Sequence, residues 1–109
     1  MSYRMISPKE LYKKMKMGEK TYLLDVRAEE KFMDFHIEGP GLVTHNVPKT
    51  NILEGGEEMV TVPTEGEVII TCTTGNSAAK CAAILSKKDD NILVLEGGVT
   101  AWKEFLKTL

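Results

Sequence analysis

The sequence predicts an α/β fold in which a central, mostly parallel sheet of about five strands carries helices on both faces. Short apolar runs rich in β-branched residues recur along the chain without polar alternation, which is typical of strands buried on both faces. These runs alternate with segments of helical pattern. Two of the runs lead directly into glycine-containing turns followed by helix-forming sequence, as in βα units. We therefore expect a single domain over residues 1–109.

The first half of the chain is predicted to alternate strand and helix. In order, its elements are a short strand at residues 5–6, a helix over about residues 8–17, a strand at 22–26 and a polar helical turn at 28–35. The start of the helix is marked by Ser7 and Glu10, which form a capping box around Pro8 at the first helical position. Gly18 follows as the helix stop.

The second half continues the alternation. Its elements are a strand at residues 42–47, a helical turn at 51–53, a strand or extended connection at 59–62, a strand at 68–70, a helix over 78–85, a strand at 92–95 and a last helix. The last helix carries four apolar residues at helical spacing, a stripe predicted to dock on the sheet: Trp102, Phe105, Leu106 and Leu109.

Cys72 follows the strand at residues 68–70 and is the candidate nucleophile. In open parallel sheets ligands bind beyond the carboxyl ends of the strands, where Cys72 is expected to lie. The loop after it contains Gly75 and leads into a helix whose N-terminus makes an anion pocket and should favour the nucleophilic thiolate. One face of that helix is apolar: Ala78, Cys81, Ala82 and Leu85. The alternative interpretation is that Cys72 is simply a buried cysteine at a strand end.

Composition restricts the class of protein. The net charge of −2 argues against a nucleic-acid partner, and the longest apolar runs are far shorter than the ~20 residues that span a bilayer. The first residues lack the apolar segment of a secretion signal. The two cysteines, Cys72 and Cys81, do not form the pattern of a disulfide framework or a metal site. We expect a cytoplasmic protein with reduced thiols that binds neither nucleic acid nor membrane.

Four motifs follow one another along most of the chain. They are Asp25-Val26-Arg27, then His36-Ile37-Glu38-Gly39 leading into Val43-Thr44-His45-Asn46-Val47-Pro48, then Cys72-Thr73-Thr74-Gly75-Asn76-Ser77, and last Leu95-Glu96-Gly97-Gly98-Val99-Thr100-Ala101-Trp102. In this order they resemble the motifs of the rhodanese-like domain, whose active-site loop reads Cys-x-x-Gly-x-Arg or Cys-x-x-Gly-x-Ser.

The resemblance implies a thiosulfate or persulfide sulfurtransferase without metal or organic cofactor. Cys72 would be the catalytic residue, taking the sulfane sulfur as a persulfide and passing it to cyanide or a thiol. The substrate-binding residues would be those of the loop, Thr73, Thr74, Gly75, Asn76 and Ser77. The expected partners are small sulfur anions, low-molecular-weight thiols and a sulfur-donor or acceptor protein. The alternative is a carrier or docking module of a sulfur relay that does not turn over.

Asp25 and Arg27 are expected to support the site by organising the strand ends through hydrogen bonds. Cys81 is expected to be a core thiol, with a resolving cysteine as the alternative. Lys80 is interpreted as a solvated helix charge, with a position facing the loop as the alternative. His36 is expected to support its turn, and His45 to be a facing residue in its strand.

Ser77 stands where many rhodanese-like domains carry an arginine, so the loop itself contains no cation. Thiosulfate is a dianion, and the sequence therefore predicts weak thiosulfate use and a preference for monoanionic persulfides. A cysteine phosphatase or arsenate reductase is the nearest rival, but it needs an arginine six residues after the cysteine, and that position is Ala78.

Overall fold

The computed structural model describes residues 3–55, 66–87 and 91–109. The described strands are β1 Arg4–Ile6, β2 Thr21–Asp25, β3 Leu42–Asn46, β4 Val68–Thr71 and β5 Ile92–Leu95. The helices are α1 Pro8–Lys16, α2 Glu29–Asp34, α3 Lys49–Gly55, α4 Asn76–Leu85 and α5 Gly98–Leu106. The strands form one sheet in the order β1-β5-β4-β2-β3, with every neighbouring pair parallel.

Apolar residues on the two faces of the sheet form two core layers, one under α3 and α4 and the other under α1 and α5. β4 alternates between them, because Val68 and Ile70 join the first layer and Ile69 joins the second. All four residues of β4 are buried. These layers confirm the predicted α/β fold with a parallel sheet covered on both faces.

The predicted capping box opens α1. The Ser7 hydroxyl accepts a hydrogen bond from the backbone N–H of Glu10, at 3.1 Å, and the Glu10 carboxylate accepts one from the backbone N–H of Ser7, at 2.9 Å. Gly18 follows the helix with a φ of 72°, which is the left-handed conformation that favours glycine after a helix end. Both ends of the helix therefore follow from local chemistry.

The helix after the Cys72 loop has the predicted buried face. Its members Ala78, Cys81, Ala82 and Leu85 are all buried against the sheet.

The last helix differs from its prediction. Trp102 is buried, whereas Leu106 is 38% and Leu109 66% exposed. The physical reason is that α5 ends at Leu106, so Leu109 lies beyond the helix and does not continue its apolar stripe.

Two other predicted elements can be compared with the structure, and a third cannot. The strand predicted at residues 42–47 is β3, an edge strand whose residues are half-buried or exposed. The helical turn predicted at residues 51–53 belongs to the longer helix α3. The strand or connection predicted at residues 59–62 lies outside the described residues.

Candidate active site

Cys72 lies at the carboxyl edge of the sheet, directly after β4. β4 pairs with β2 on one side and with β5 on the other, so the carboxyl ends of three strands surround the cysteine. The side chain is 4% exposed. The sheet thus places this thiol where parallel α/β folds bind their ligands.

The sulfur of Cys72 occupies the position of a helix cap. Its Sγ accepts hydrogen bonds from the backbone N–H of Gly75, at 3.0 Å, and of Ala78, at 3.3 Å. Gly75 makes this possible with a φ of 106°, a conformation that side chains other than glycine rarely adopt. The sulfur therefore satisfies donors that a helix start leaves unpaired, and negative charge on it is stabilised by them and by the helix dipole.

The start of α5 holds the same loop from the other side. The backbone N–H of Val99 donates to the carbonyl of Cys72, at 2.8 Å, and that of Thr100 donates to the carbonyl of Thr73, at 3.0 Å. Gly98, with a φ of 61°, makes the approach possible. A Cβ at Gly98 would lie 2.7 Å from the Thr73 carbonyl oxygen and closer still to that of Cys72. The second glycine-rich turn is therefore a support for the Cys72 loop.

Asp25 and Arg27 form a buried ion pair at the end of β2. The Arg27 guanidinium donates to both carboxylate oxygens of Asp25, with the shortest distance 2.7 Å, and also to the carbonyl of Phe35. The Asn46 amide donates to the carbonyls of Asp25 and Arg27, at 2.9 and 3.0 Å. These bonds connect the ends of β2 and β3 with α2, which is the organising role expected of the pair.

Lys49 is the first residue of α3, and its side chain contacts the Cys72 loop. Its backbone N–H donates to the carbonyl of Val26, at 2.9 Å, which fixes the start of α3 beside the end of β2. Its ammonium group donates to the Ser77 hydroxyl, at 3.3 Å. A lysine from a distant element thus contacts the position at which many members of the resembled family carry arginine.

A pocket of about 290 Å³ opens in front of Cys72. Its lining residues are Val26, Arg27, Ala28, Lys31, Pro48, Lys49, Thr50, Cys72, Thr73, Thr74 and Ser77. Three of them are cationic and none is a carboxylate, so the charges of the lining favour an anion over a cation. A wider pocket of about 560 Å³, which shares Arg27, Lys31 and Thr73, lies beside it between α2 and the start of α5.

The predicted loop residues do not all face this pocket. Thr73, Thr74 and Ser77 line it, and Gly75 contributes its N–H to the sulfur. Asn76 is exposed and is not among the lining residues. Lys80 is likewise exposed outside the pocket, in agreement with a solvated helix charge.

Lys31, Lys49 and the Ala78 N–H belong to the site, and the sequence motifs did not predict them. A usable signal for Lys49 existed, since it directly follows the strand that stops at Pro48, and parallel strands end at one edge of the sheet. Lys31 lies on a short helix after Arg27 with no comparable signal. The Ala78 N–H belongs to the site only because the Cys72 sulfur accepts its hydrogen bond and so caps the start of α4.

Cys81 is buried in the core layer under α4. Burial raises the pKa of this thiol to about 11, with a smaller contribution from the nearby Cys72 and an opposing one from Lys49. A thiol with that pKa is protonated and inert near neutral pH. The expected core role fits this environment.

The two histidines lie outside the lining of the Cys72 pocket. His36 stacks on the Phe32 ring, at 4.0 Å between centroids, and one ring nitrogen lies 2.9 Å from the Phe32 carbonyl oxygen. His45 is exposed on β3. Among residues 3–55, 66–87 and 91–109, no group of three or more His, Cys, Asp or Glu side chains is placed to hold a metal ion.

Comparison with known proteins defines the family. A family model of the rhodanese-like domain matches residues 7–105, and the chain belongs to that family. Over 98 residues it is 32% identical to a Mycobacterium tuberculosis protein named probable adenylyltransferase/sulfurtransferase MoeZ. The aligned stretch covers 89% of this chain and 24% of that relative. The chain thus spans about a quarter of the length of the curated relatives it matches.

Solved structures show the same fold. A rhodanese-related protein from Thermoplasma volcanium superposes with a TM-score of 0.75 and 26% identity, covering 94% of this chain and 93% of that one. A Saccharomyces cerevisiae homologue of single-domain rhodanese and the Cdc25 phosphatase catalytic domain superposes with a TM-score of 0.73 and 19% identity, over 94% of this chain and 80% of that one.

No helix in the described parts of the chain is long and apolar enough to cross a membrane.

Proposed function

We propose that the protein is a sulfurtransferase that moves a sulfane sulfur through a persulfide on Cys72. The observation that carries the proposal is the pair of backbone N–H groups that donate to the Cys72 sulfur at the mouth of a cationic pocket. Donors fixed around a nearly buried sulfur stabilise an anion without rearrangement during the reaction. Membership of the rhodanese-like family supports the same chemistry.

The first half-reaction loads the enzyme. The Cys72 thiolate attacks the outer sulfur of thiosulfate or of a persulfide, the bond between the two donor sulfurs breaks, and sulfite or a thiolate leaves with the electron pair. The product is a Cys72 persulfide anion. Its charge remains close to the Gly75 and Ala78 N–H groups, which support it as they support the thiolate.

The second half-reaction discharges it. Cyanide or an acceptor thiolate attacks the outer sulfur, which leaves as thiocyanate or as the acceptor's persulfide, and the Cys72 thiolate is regenerated. No net electron transfer takes place over the cycle, so no redox cofactor is required. The wider pocket beside the site gives an acceptor larger than cyanide a surface to approach from.

A phosphatase-like reaction fits the site poorly, although one structural neighbour is also a homologue of a phosphatase catalytic domain. Position 78, six residues after the cysteine, is a buried alanine whose N–H is already bonded to the sulfur. It supplies no guanidinium for the equatorial oxygens of a phosphoryl group.

A sulfur carrier is the second candidate. The observation that favours it is the match to a quarter of a relative whose name combines adenylyltransferase and sulfurtransferase, since a domain joined to another activity can pass its sulfur within one protein. A carrier would form the same Cys72 persulfide and would discharge it slowly to small acceptors.

Steady-state turnover with thiosulfate and cyanide tests the proposal. We expect multiple turnovers with ping-pong kinetics in the unmodified protein, at least a thousand-fold loss in Cys72→Ser, and near-unmodified rates in Cys81→Ser, because Cys81 is protonated and buried. Thiocyanate formation limited to one equivalent per protein would favour the carrier. Activity that survives in Cys72→Ser would contradict both.

A further inference from the structure

The ammonium group of Lys49 contacts the Cys72 loop at Ser77, although the loop motif itself contains no cation. We propose that Lys49 is the specificity-determining residue that recognises the second negative charge of a small dianionic sulfur donor. The inference rests on the proposed sulfurtransferase function and names the class of donor that the site prefers.

Lys49 is held by contacts that do not depend on a ligand. Its backbone N–H is bonded to Val26, and Val26 in turn donates its own N–H to the Thr71 carbonyl at the end of β4. The root of the lysine is therefore tied to the strand that carries Cys72. The ammonium contacts the Ser77 hydroxyl, which is neutral, so a ligand displaces no counter-charge from it.

The balance of charge in the pocket points in the same direction. The Arg27 guanidinium is already neutralised by the buried Asp25 carboxylate. Lys31 and Lys49 also line the pocket, and within the described parts of the chain neither forms an ion pair. Two uncompensated cations thus face a pocket that has no carboxylate in its lining.

Lys49 is the better placed of the two for a donor on Cys72. It contacts Ser77, one residue before the Ala78 whose N–H is bonded to the sulfur. Lys31 lines both pockets, but within the described parts of the chain its side chain makes no hydrogen bond to the loop. The expectation of weak thiosulfate use was based on the residues of the loop alone. In the structure, Lys49 at the start of α3 places its ammonium group against Ser77 of that loop.

Thiosulfate and the methanethiosulfonate anion are the probes that separate charge from chemistry. Both present an outer sulfur on a sulfonyl centre, but a methyl group replaces one anionic oxygen in the second, which leaves a single negative charge. The measured quantity is the ratio of their kcat/KM values for persulfide formation on Cys72. We expect thiosulfate to be favoured in the unmodified protein.

Lys49→Met should lower this ratio roughly ten-fold, the loss expected for one charge-assisted hydrogen bond. Lys49→Arg should retain most of the ratio. Lys80→Met is the matched control, because Lys80 is an exposed lysine on α4 outside the pocket, and its removal should leave the ratio unchanged. The double variant Lys49→Met with Ser77→Arg moves the cation into the loop and should restore the preference for thiosulfate.

The outcomes separate this inference from the function beneath it. If both donors load Cys72 and Lys49→Met slows them by the same factor, or leaves both unchanged, Lys49 does not read the donor's charge and the inference is overturned. If neither donor forms a persulfide on Cys72 in the unmodified protein, the proposed function fails and the inference falls with it.

Discussion

At the scale of single residues, the Cys72 site depends on backbone groups more than on side chains. The sulfur is bonded by the N–H groups of Gly75 and Ala78, and the loop carbonyls accept from Val99 and Thr100. Substitutions of the exposed loop side chains, Thr73, Thr74 and Asn76, are expected to leave these bonds in place. Substitutions that move the backbone should therefore be the damaging ones.

Gly98→Ala is predicted to damage both folding and catalysis. An alanine there would hold a strained positive φ and press its Cβ against the carbonyls of Cys72 and Thr73. We expect the free energy of unfolding to fall by about 2 kcal/mol or more, consistent with a strained residue plus a steric clash. We also expect kcat to fall more than KM rises, because the displaced loop no longer holds the sulfur in place.

Gly18→Ala is the control for backbone strain alone. Gly18 has a φ of 72° and nothing within 4 Å of the position its Cβ would take. Chemical denaturation and steady-state kinetics of both variants make the comparison. Equal losses of activity in Gly18→Ala and Gly98→Ala would show that general destabilisation, and not the support of the loop, explains the result.

The position of Cys72 could be predicted from sequence, whereas the contact of the Lys49 ammonium group with Ser77 could not. A buried strand followed by a glycine and a helix predicts local geometry, because each depends on neighbouring residues. Lys49 is 23 residues before Cys72 in the sequence. Its contact with Ser77 depends on strand order and on the start of α3, which no local pattern encodes.

At the scale of elements, a cluster of charges joins β1, α1 and the residue before β4. The Glu67 carboxylate lies 2.6 Å from the Lys14 ammonium and 3.0 Å from the Arg4 guanidinium. The hydrogen bond to Lys14 is the largest cause that lowers the pKa of Glu67, and the same contact raises the pKa of Lys14. Both groups are partly exposed, so solvent screening limits the energy of the cluster.

Glu67→Gln is predicted to cost about 1 kcal/mol of unfolding free energy near pH 7, the upper part of the range for a partly exposed pair. Because the pKa of Glu67 is lowered in the folded state, its contribution is present above the ordinary value of 4.5 and is lost as the pH falls through the folded pKa. The raised pKa of Lys14 means that its contribution persists below 10.5 and is lost as the pH rises through the folded pKa.

Denaturant unfolding of the unmodified protein and of Glu67→Gln as a function of pH measures the effect. The difference between them should disappear in strong acid. Glu104→Gln is the matched control, since Glu104 pairs with Lys107 at an exposed site on α5 and should contribute little. A difference for Glu67→Gln that stays constant down to acid pH would show that packing, and not charge, is responsible.

Helix faces show where prediction by pattern succeeds and where it stops. The buried face of α4 was predicted residue by residue, because apolar residues at helical spacing can pack on the sheet along the whole helix. The stripe of α5 was wrong at its C-terminal end, because Leu106 is the last residue of the helix and Leu109 lies beyond it. The periodicity of apolar residues predicts which face of a helix is buried, but it does not predict the residue at which the last helix of the chain ends.

At the scale of the whole molecule, the strand order assembles the site. With β4 in the centre, the carboxyl ends of β2, β4 and β5 converge, and the segments that follow them supply Arg27, the Cys72 loop and the start of α5. β3 adds Lys49 from the edge. Three segments distant in sequence thus line one cationic pocket in front of Cys72, and the start of α5 supports the Cys72 loop from the other side.

Mass spectrometry of the protein after incubation with thiosulfate tests the central claim most directly. We expect one added sulfur atom on the peptide that contains Cys72, its removal by cyanide, and no such adduct on the Cys81 peptide or in Cys72→Ser. Absence of the adduct under conditions that leave the protein folded, or its appearance on Cys81, would contradict the assignment of Cys72 as the residue that carries sulfur.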